Sequence, residues 1–220
     1  MINELIFIFH AMLVMVATLT AKRIGQQALV VLIALFAVIA NLFVLKQITL
    51  FGLNATASDV YIVGASLSLN LLQEYYGRSE VRRAIWISFF AAIVYTIMSQ
   101  IHILYAPSLF DVSSEHFRFI LRPMPRLIIA SLFSYLVAEF TNYKMFSLLK
   151  NHLIIIPFSI RSLLATGISQ LVDTLLFSFL GLYGIISSLW SVIIISYSIK
   201  LLAIFLSAPF LFLAKIIFSI

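Results

Sequence analysis

The sequence contains no cysteine, few charged residues and few of the residues that make turns. Of its 220 residues only 10% are charged, and there are 7 glycines and 5 prolines. The absence of cysteine excludes a disulfide framework and a thiolate metal site. Because a soluble domain has roughly 25% charged residues, the shortage of charge excludes an ordinary soluble protein. The scarcity of glycine and proline argues against a disordered chain.

Apolar residues take the place of the missing charge. The chain is 63% hydrophobic and has a mean hydropathy of +1.15. Its net charge is +6, but the basic residues lie between apolar runs and form no single patch, so nucleic acid is not the expected partner. The composition indicates a protein whose main partner is a lipid bilayer.

Seven apolar segments follow one another along the chain. They cover residues 2–20, 28–46, 58–74, 84–105, 127–149, 162–181 and 185–217. A membrane-spanning helix needs about 20 apolar residues, and these runs lack the alternation of a membrane barrel, so strands are not expected. The last segment is either one tilted helix or two pieces around Lys200. The sequence therefore predicts an all-α bundle of about six to seven spans, forming one domain over residues 1–220.

The ends of these segments predict how the bundle is oriented. The first segment resembles a signal peptide. A signal peptide begins with a basic region, but this segment has Glu4 there, so we expect the segment to remain in the protein as a helix. Basic residues are more frequent in cytoplasmic loops, and one set of alternate loops carries seven of them against four in the other. The larger set contains Lys22, Arg23, Arg78, Arg82, Arg83, Lys144 and Lys150. This predicts an external N-terminus and an internal C-terminus.

Three ionisable residues lie inside apolar segments, namely Glu139, Asp173 and Lys200. A charge at the bilayer centre costs on the order of 3 kcal/mol, so each is a candidate for function. Asp173 belongs to a stripe with helical spacing, formed by Thr166, Ser169, Gln170, Asp173, Thr174 and Phe177. A second stripe contains Ser131, Ser134, Tyr135, Ala138, Glu139 and Asn142. Two facing stripes predict a polar cavity, although small polar residues could also simply hold the helices together.

Depth along the helices predicts which of these charges meet. Counted from the turn at residues 181–184 at about 1.5 Å per residue, Asp173 lies about 14 Å deep and Lys200 about 26 Å. Glu139 lies nearer the depth of Lys200, so we expect a Glu139–Lys200 pair that leaves Asp173 for a substrate. An Asp173–Lys200 pair stays open as the alternative, because a lysine side chain leans toward the N-terminus of its helix.

Further polar residues lie in the second and third segments. Asn41 and Asn70 are amides that could read the edge of a heterocycle with one donor and one acceptor, or could bond neighbouring helices. Glu74 lies at a helix end beside basic residues, as an anchor or as part of a charge network. The histidines do not lie at metal-ligand spacing with a carboxylate, so neither a metal nor a cofactor is expected. The chain also lacks a phosphate-binding loop and hydrolase motifs, so it is neither an ATP-driven pump by itself nor an expected enzyme.

In their order and spacing, these residues resemble the bacterial queuosine-precursor transporter family, small membrane proteins grouped with vitamin-uptake transporters. The resemblance covers about residues 36 to 210 and depends on Asn41, on Gln73 to Arg78 with Arg82 and Arg83, on Arg126, Ser131 and Tyr135, on Ser169 to Thr174 with Phe177, and on Tyr197 with Lys200. One departure concerns Asn70, where many members have an aspartate. That difference argues against a proton-linked role for this position.

The resemblance implies a multi-pass protein of the bacterial inner membrane that imports a 7-deazaguanine, either queuine or a simpler precursor, for salvage of tRNA queuosine. Asp173 would accept the guanine-like edge of this purine-like substrate. Asn41, Asn70 and Gln170 would bond its other polar atoms, and Phe177 or Tyr135 would stack on its ring. Three alternatives stay open: a substrate-binding subunit of a multi-component vitamin importer, an intramembrane enzyme that uses Asp173 and Glu139, and a scaffold without a ligand whose polar stripes only hold the helices together. The sequence does not determine the oligomeric state or the energy source.

Overall fold

The computed structural model describes residues 2–152 and 158–202, and these residues are helical almost throughout. The long helices are α1 (Ile2–Ile24), α2 (Gln26–Phe43), α3 (Asp59–Tyr76), α4 (Arg78–His102), α6 (Met124–His152) and α7 (Phe158–Phe177). A π-helical turn, Ser178–Leu182, continues α7, and α8 covers Leu189–Leu202. The predicted all-α membrane architecture is therefore confirmed at this level.

Five helical stretches of the described chain are long and apolar enough to cross a bilayer. They are Ile2–Ile24, Gln26–Phe43, Ser79–His102, Ser114–Asn142 and Leu164–Leu182. Continuous apolar runs produce this result because a helix satisfies all its backbone hydrogen bonds internally, which the bilayer core requires. The last predicted segment forms α8 as far as residue 202, and its remainder lies outside the described residues.

Neighbouring helices run antiparallel and place their connections at alternate ends of the bundle. Gly25, with φ of 136°, connects α1 to α2, and Gly77, with φ of 90°, connects α3 to α4. At this end, the Lys22 ammonium lies 3.9 Å from the centre of the Tyr75 ring. An apolar core fills the space between the four helices there, formed by Ala21, Leu29, Ile33, Leu71, Leu72 and Ala84.

A second apolar core lies at the opposite end of the bundle, where α6 begins and α7 ends. It contains Val44, Leu121, Met124, Leu127, Leu182, Ile186 and Val192. Arg126 fastens this end, because its Nε donates to the Leu180 carbonyl (2.8 Å) and its terminal nitrogen donates to the Tyr183 carbonyl (2.7 Å). These bonds hold the π-helical turn against the first turn of α6.

A β-hairpin between α2 and α3 corrects the expectation that strands are absent. Strands β1 (Gln47–Leu50) and β2 (Leu53–Thr56) pair antiparallel. The turn between them places both Phe51 (φ 50°) and Gly52 (φ 80°) in the left-handed region, as a two-residue hairpin turn requires. Leu50 and Ala55 are fully buried in a cluster with Ile195 of α8. The hairpin thus connects the start of α3 to α8.

The polar stretch between α4 and α6, expected as a loop, also contains a helix. This helix, α5, covers Ser114–Leu121. Before it, the Asp111 carboxylate accepts hydrogen bonds from the backbone N–H of Ser113 (2.7 Å) and of Ser114 (3.2 Å). The bonds from Ser113 lower the pKa of Asp111, because they stabilise its ionised form. Gln100 donates to the Leu121 carbonyl at 2.8 Å, which connects α4 to the end of α5.

Helices α1 and α2 pack closely against α3 at Gly64. A Cβ atom there would lie 2.8 Å from Cε2 of Phe36 and would overlap Val14. We expect Gly64→Ala to lower the free energy of unfolding by about 1–3 kcal/mol, the usual cost of overpacking. Gly167→Ala is the matched control, because within the described part of the chain its Cβ would meet Leu201 alone, at 3.6 Å. Thermal unfolding in detergent measures both; equal midpoints for the two variants would contradict this packing.

Candidate functional site

A buried ion pair connects α7 to α8 inside the apolar bundle. Lys200 Nζ lies 2.6 Å from Asp173 Oδ2 and donates a second hydrogen bond to Thr174 Oγ1 at 3.1 Å. The Lys200 side chain is 8% exposed and that of Asp173 is 21% exposed. A buried charge is tolerated only when it is paired and hydrogen-bonded, so these contacts stabilise the charge of Lys200. The polar stripe on α7 therefore contributes the carboxylate and the hydroxyl group that bind Lys200.

The expectation that Asp173 is left without a charged partner is wrong, and the alternative Asp173–Lys200 pair is present. The depth count failed because residues 183–188 form a non-helical connection and α8 begins only at Leu189. Asp173 lies about 14 Å from Leu182, where the π-helical turn ends. Lys200 lies about 16 Å from Leu189, where α8 begins, so the two residues have similar depths. The side chains of Glu139 and Glu74 lie outside the described residues, so their place in a charge network stays a prediction.

A second buried carboxylate, Asp59, lies beside this ion pair. Asp59 begins α3 and is 3% exposed. Its Oδ2 accepts a hydrogen bond from Ser196 Oγ at 3.0 Å, and Ser196 lies one turn before Lys200 in α8. Asp59 also interacts electrostatically with Lys200 and with the hydroxyl of Thr56. The cluster of Asp59, Ser196, Lys200 and Asp173, here called the charge cluster, joins α3, α7 and α8.

Asp59 and Ser196 were not among the residues predicted for the site. Asp59 follows Thr56 and Ser58 in a polar stretch, which has the composition of an ordinary helix start. One signal was available, because Ser196 and Lys200 are four residues apart and so share a helix face. The position of Asp59 beside Ser196 and Lys200 depends on the hairpin before α3. Its strands have four residues each and show no clear alternation of polar and apolar residues in the sequence.

The amides predicted for the site lie in different surroundings. Asn41 is 8% exposed and its Nδ2 donates to the Ala37 carbonyl of its own helix at 2.8 Å. Asn70 is half-buried in α3. Within residues 2–152 and 158–202, neither amide forms a hydrogen bond with Asp173. Gln170 lies one turn before Asp173 on α7 and is half-buried, so it is the predicted amide nearest to the charge cluster.

The two predicted aromatic residues lie on different helices. Phe177 is one turn after Asp173 and packs against the second apolar core. Tyr135 of α6 contacts Phe89 of α4 edge to face, with ring centres 5.3 Å apart. Asp173, Gln170 and Phe177 thus share one face of α7, and of these three residues Asp173 is bonded to Lys200.

The stripe on α6 contributes to close helix packing. Ala130, Ser134 and Ala138 recur every four residues and are at most 4% exposed, and α6 packs extensively against α7. Small residues at this spacing let two membrane helices approach closely. A Cβ at Gly181 would lie 3.3 Å from the Ala130 Cβ. The face of α6 that was predicted to line a polar cavity is thus partly in direct contact with α7.

An apolar cleft of about 550 Å³ lies at the ends of α2, α4 and α5. It is lined by Leu42, Phe43, Tyr95, Met98, Ser99, His102, Phe117, Ile120 and Leu121. These residues include no member of the charge cluster, so the cleft offers little to recognise a polar ligand. Among the described residues no group of three or more histidines and carboxylates could hold a metal ion.

The charge cluster has the chemistry of a site for a ligand that carries N–H groups. Lys200 binds Oδ2 of Asp173, whereas Oδ1 accepts no hydrogen bond from the described residues. An ionised carboxylate has about four acceptor positions, so one pair with lysine leaves room for further donors. Hydrogen bonds to an ionised acceptor are roughly twice as strong as neutral ones. Asp173 is therefore an oriented, partly accessible acceptor inside the bundle.

Comparison with known proteins identifies relatives over most of the chain. Residues 56–214 match the family model described as "Putative vitamin uptake transporter". A protein of Bacillus subtilis (strain 168), named "Probable queuosine precursor transporter", is 31% identical over 224 residues, which cover 98% of this chain and 96% of the relative. No solved structure matches the chain.

Proposed function

Because the chain belongs to the putative vitamin uptake transporter family, and is thus a multi-pass plasma-membrane transporter of bacteria and not an enzyme, we propose that it imports a queuosine precursor. The printed name of the Bacillus subtilis relative supports this cargo. The observation that carries the proposal is the buried Asp173–Lys200 pair. It places one oriented carboxylate in an otherwise apolar bundle, as a base with adjacent N–H donors requires.

The proposed substrate site is centred on Asp173. A 7-deazaguanine presents a ring N–H and an amino group side by side, and one carboxylate can accept both. Gln170, one turn earlier on α7, offers a donor and an acceptor to the remaining polar atoms. Phe177, one turn later, offers a ring on which the planar base stacks. These three side chains share one face of α7.

In this proposal, residues of neighbouring helices also contribute to substrate binding. Asn41 and Asn70 bond the remaining polar atoms of the base, and Tyr135 provides the alternative stacking ring. Glu139 and Glu74, the latter near the end of α3 opposite to Asp59, extend the intramembrane charge network to which Lys200 belongs. Alternating access exposes the site to each side of the membrane in turn, by rocking of helices around it.

We propose that the domain covers residues 1–220 and has six to seven spans, with the N-terminus outside. The connections of α1 to α2 and of α3 to α4 lie at one end of the bundle, as does the end of α6. The seven basic residues counted from the loops and Arg161, near the start of α7, are found near this end, against four near the other. Basic residues accumulate on the cytoplasmic side, so this end faces inward.

The proposal is tested by the queuosine content of tRNA in cells that can neither make nor import the base. Cells that express this chain are fed queuine and each simpler 7-deazaguanine in turn. We expect queuosine to be restored by at least one base and to remain absent in cells with empty vector. A well-expressed chain that restores queuosine with no base, in cells that hold the enzymes for each, would contradict the proposed cargo.

A further inference from the structure

The charge cluster contains two carboxylates and one ammonium group, contributed by three different helices. Lys200 of α8 is bonded to Asp173 of α7, while Asp59 of α3 accepts its side-chain bonds from neutral hydroxyl groups. With both carboxylates ionised, the buried cluster would carry one uncompensated negative charge. A low-dielectric interior strongly disfavours such a charge. One further positive charge is therefore needed, and a proton is the smallest that supplies it.

We propose that Asp59 is the proton-carrying site that couples transport to the proton gradient, and that Lys200 exchanges between the two carboxylates. While Lys200 is bonded to Asp173, the Asp59 carboxyl is protonated. When Lys200 moves to Asp59 on the inner side, the proton and the base leave, and water replaces the base at the Asp173 carboxylate, which is 21% exposed. This inference rests on the chain being a transporter and deepens the proposed function, but it does not depend on which base is carried.

Opposing effects keep the two forms of Asp59 close in free energy. Burial to 3% exposure favours the protonated form. The hydroxyl of Ser196, the nearby Lys200 and the N-terminus of α3 favour the ionised form. A carrier needs this near balance, because its proton must bind on one side of the membrane and leave on the other.

Other titratable groups lie on the elements packed around α3, and those with described contacts are in contact with other residues. On α1, His10 contacts the ring of Tyr61 edge to face, with ring centres 4.8 Å apart, and Glu4 accepts the backbone N–H of Phe51 at the hairpin tip. Helix α2 contains no charged residue, and Lys46 follows it. The charged residues Glu80, Arg82 and Arg83 lie in the first turns of α4, at the other end of α3. Among the described residues, Lys200 is therefore the cation that interacts with Asp59.

Movement of Lys200 would connect the proton to a change of shape. The lysine belongs to α8, and its two carboxylates belong to two other helices, α7 and α3. When Lys200 is bonded to Asp173, it connects α8 to α7. When it is bonded to Asp59, it connects α8 to α3 and the hairpin. A two-state contact of this kind is what alternating access requires.

Infrared spectroscopy of the full chain in liposomes tests the proton directly, without any substrate. A protonated carboxyl group has a carbonyl stretch separate from that of a carboxylate. We expect wild-type protein at neutral pH to show such a band, part of which disappears in Asp59→Asn. Asp111→Asn, the same change in the exposed loop, is the matched control and keeps the whole band. A band that is unchanged in Asp59→Asn overturns the proposal.

Uptake into liposomes tests whether this proton drives transport. Coupled one to one, a pH difference of one unit, acid outside, supports about tenfold accumulation of base. We expect wild-type protein and Asp111→Asn to show this dependence and Asp59→Asn to lose it. Uptake that follows a sodium gradient and ignores pH overturns the proposal. If the Asp59 band is present but no base moves, the proposed cargo fails while the proton site stands.

Discussion

Replacing Lys200 by methionine is expected to remove most of the folded protein from the membrane. The substitution leaves the Asp173 carboxylate without the ammonium that lies 2.6 Å away and takes the nearby cation from Asp59. Removal of one partner from a buried ion pair costs about 3–5 kcal/mol, a large share of the 5–15 kcal/mol that stabilises a typical protein. Size-exclusion chromatography of detergent extracts measures the folded fraction, and thermal unfolding measures what remains.

Two further variants separate loss of the pair from loss of a lysine. Lys144→Met makes the same change at an exposed position of α6 and should leave the folded fraction near that of wild type. Lys200→Met combined with Asp173→Asn removes both charges of the pair and should recover much of the folded protein, but no transport. A single Lys200→Met variant as stable as wild type, or a double variant no better than the single one, would contradict the buried pair.

Asp173→Asn is expected to fold and to lose uptake of the base. Asparagine keeps the shape of the side chain and an oxygen that accepts from Lys200, and Asp59 still balances the lysine charge. The variant loses the ionised acceptor that the substrate N–H groups need. Loss of one partner of a buried charged hydrogen bond costs about 2–5 kcal/mol, which is between thirty-fold and several thousand-fold in affinity. Concentration dependence of uptake measures this effect.

Asp111→Asn is the control for this variant, because it removes the charge of a carboxylate in an exposed loop. It should transport like wild type. If Asp173→Asn takes up the base with unchanged affinity and rate, Asp173 is not the acceptor. Loss of uptake that is accompanied by loss of folded protein would instead assign Asp173 to stability alone.

Continuous apolar runs made the helices predictable from sequence. A run of about twenty apolar residues has few stable alternatives in a bilayer, so α1, α2, α4, α6 and α7 lie close to their predicted segments. The hairpin was not predictable in the same way. Its strands have four residues each, and its turn depends on Phe51 adopting a positive φ, which bulky residues rarely do.

The candidate site was predicted in composition but not in its contacts. The stripe on α7 identified Asp173 and Gln170 because helical spacing alone puts them on one face. The partner of Lys200 depended on where α8 begins, and hydropathy does not distinguish the apolar connection at residues 183–188 from helix. Asp59 lies far from Ser196 in sequence, so only the fold reveals that they meet.

The most direct test of transport by this chain uses the purified protein in liposomes, without ATP or any other protein. Radiolabelled 7-deazaguanine is added outside, and accumulation inside is followed with time. We expect uptake by wild-type protein and by Asp111→Asn, and none above protein-free liposomes for Asp173→Asn. Binding of the base without uptake, with transport only when ATP and a partner are supplied, would identify a subunit of a multi-component importer and contradict the account.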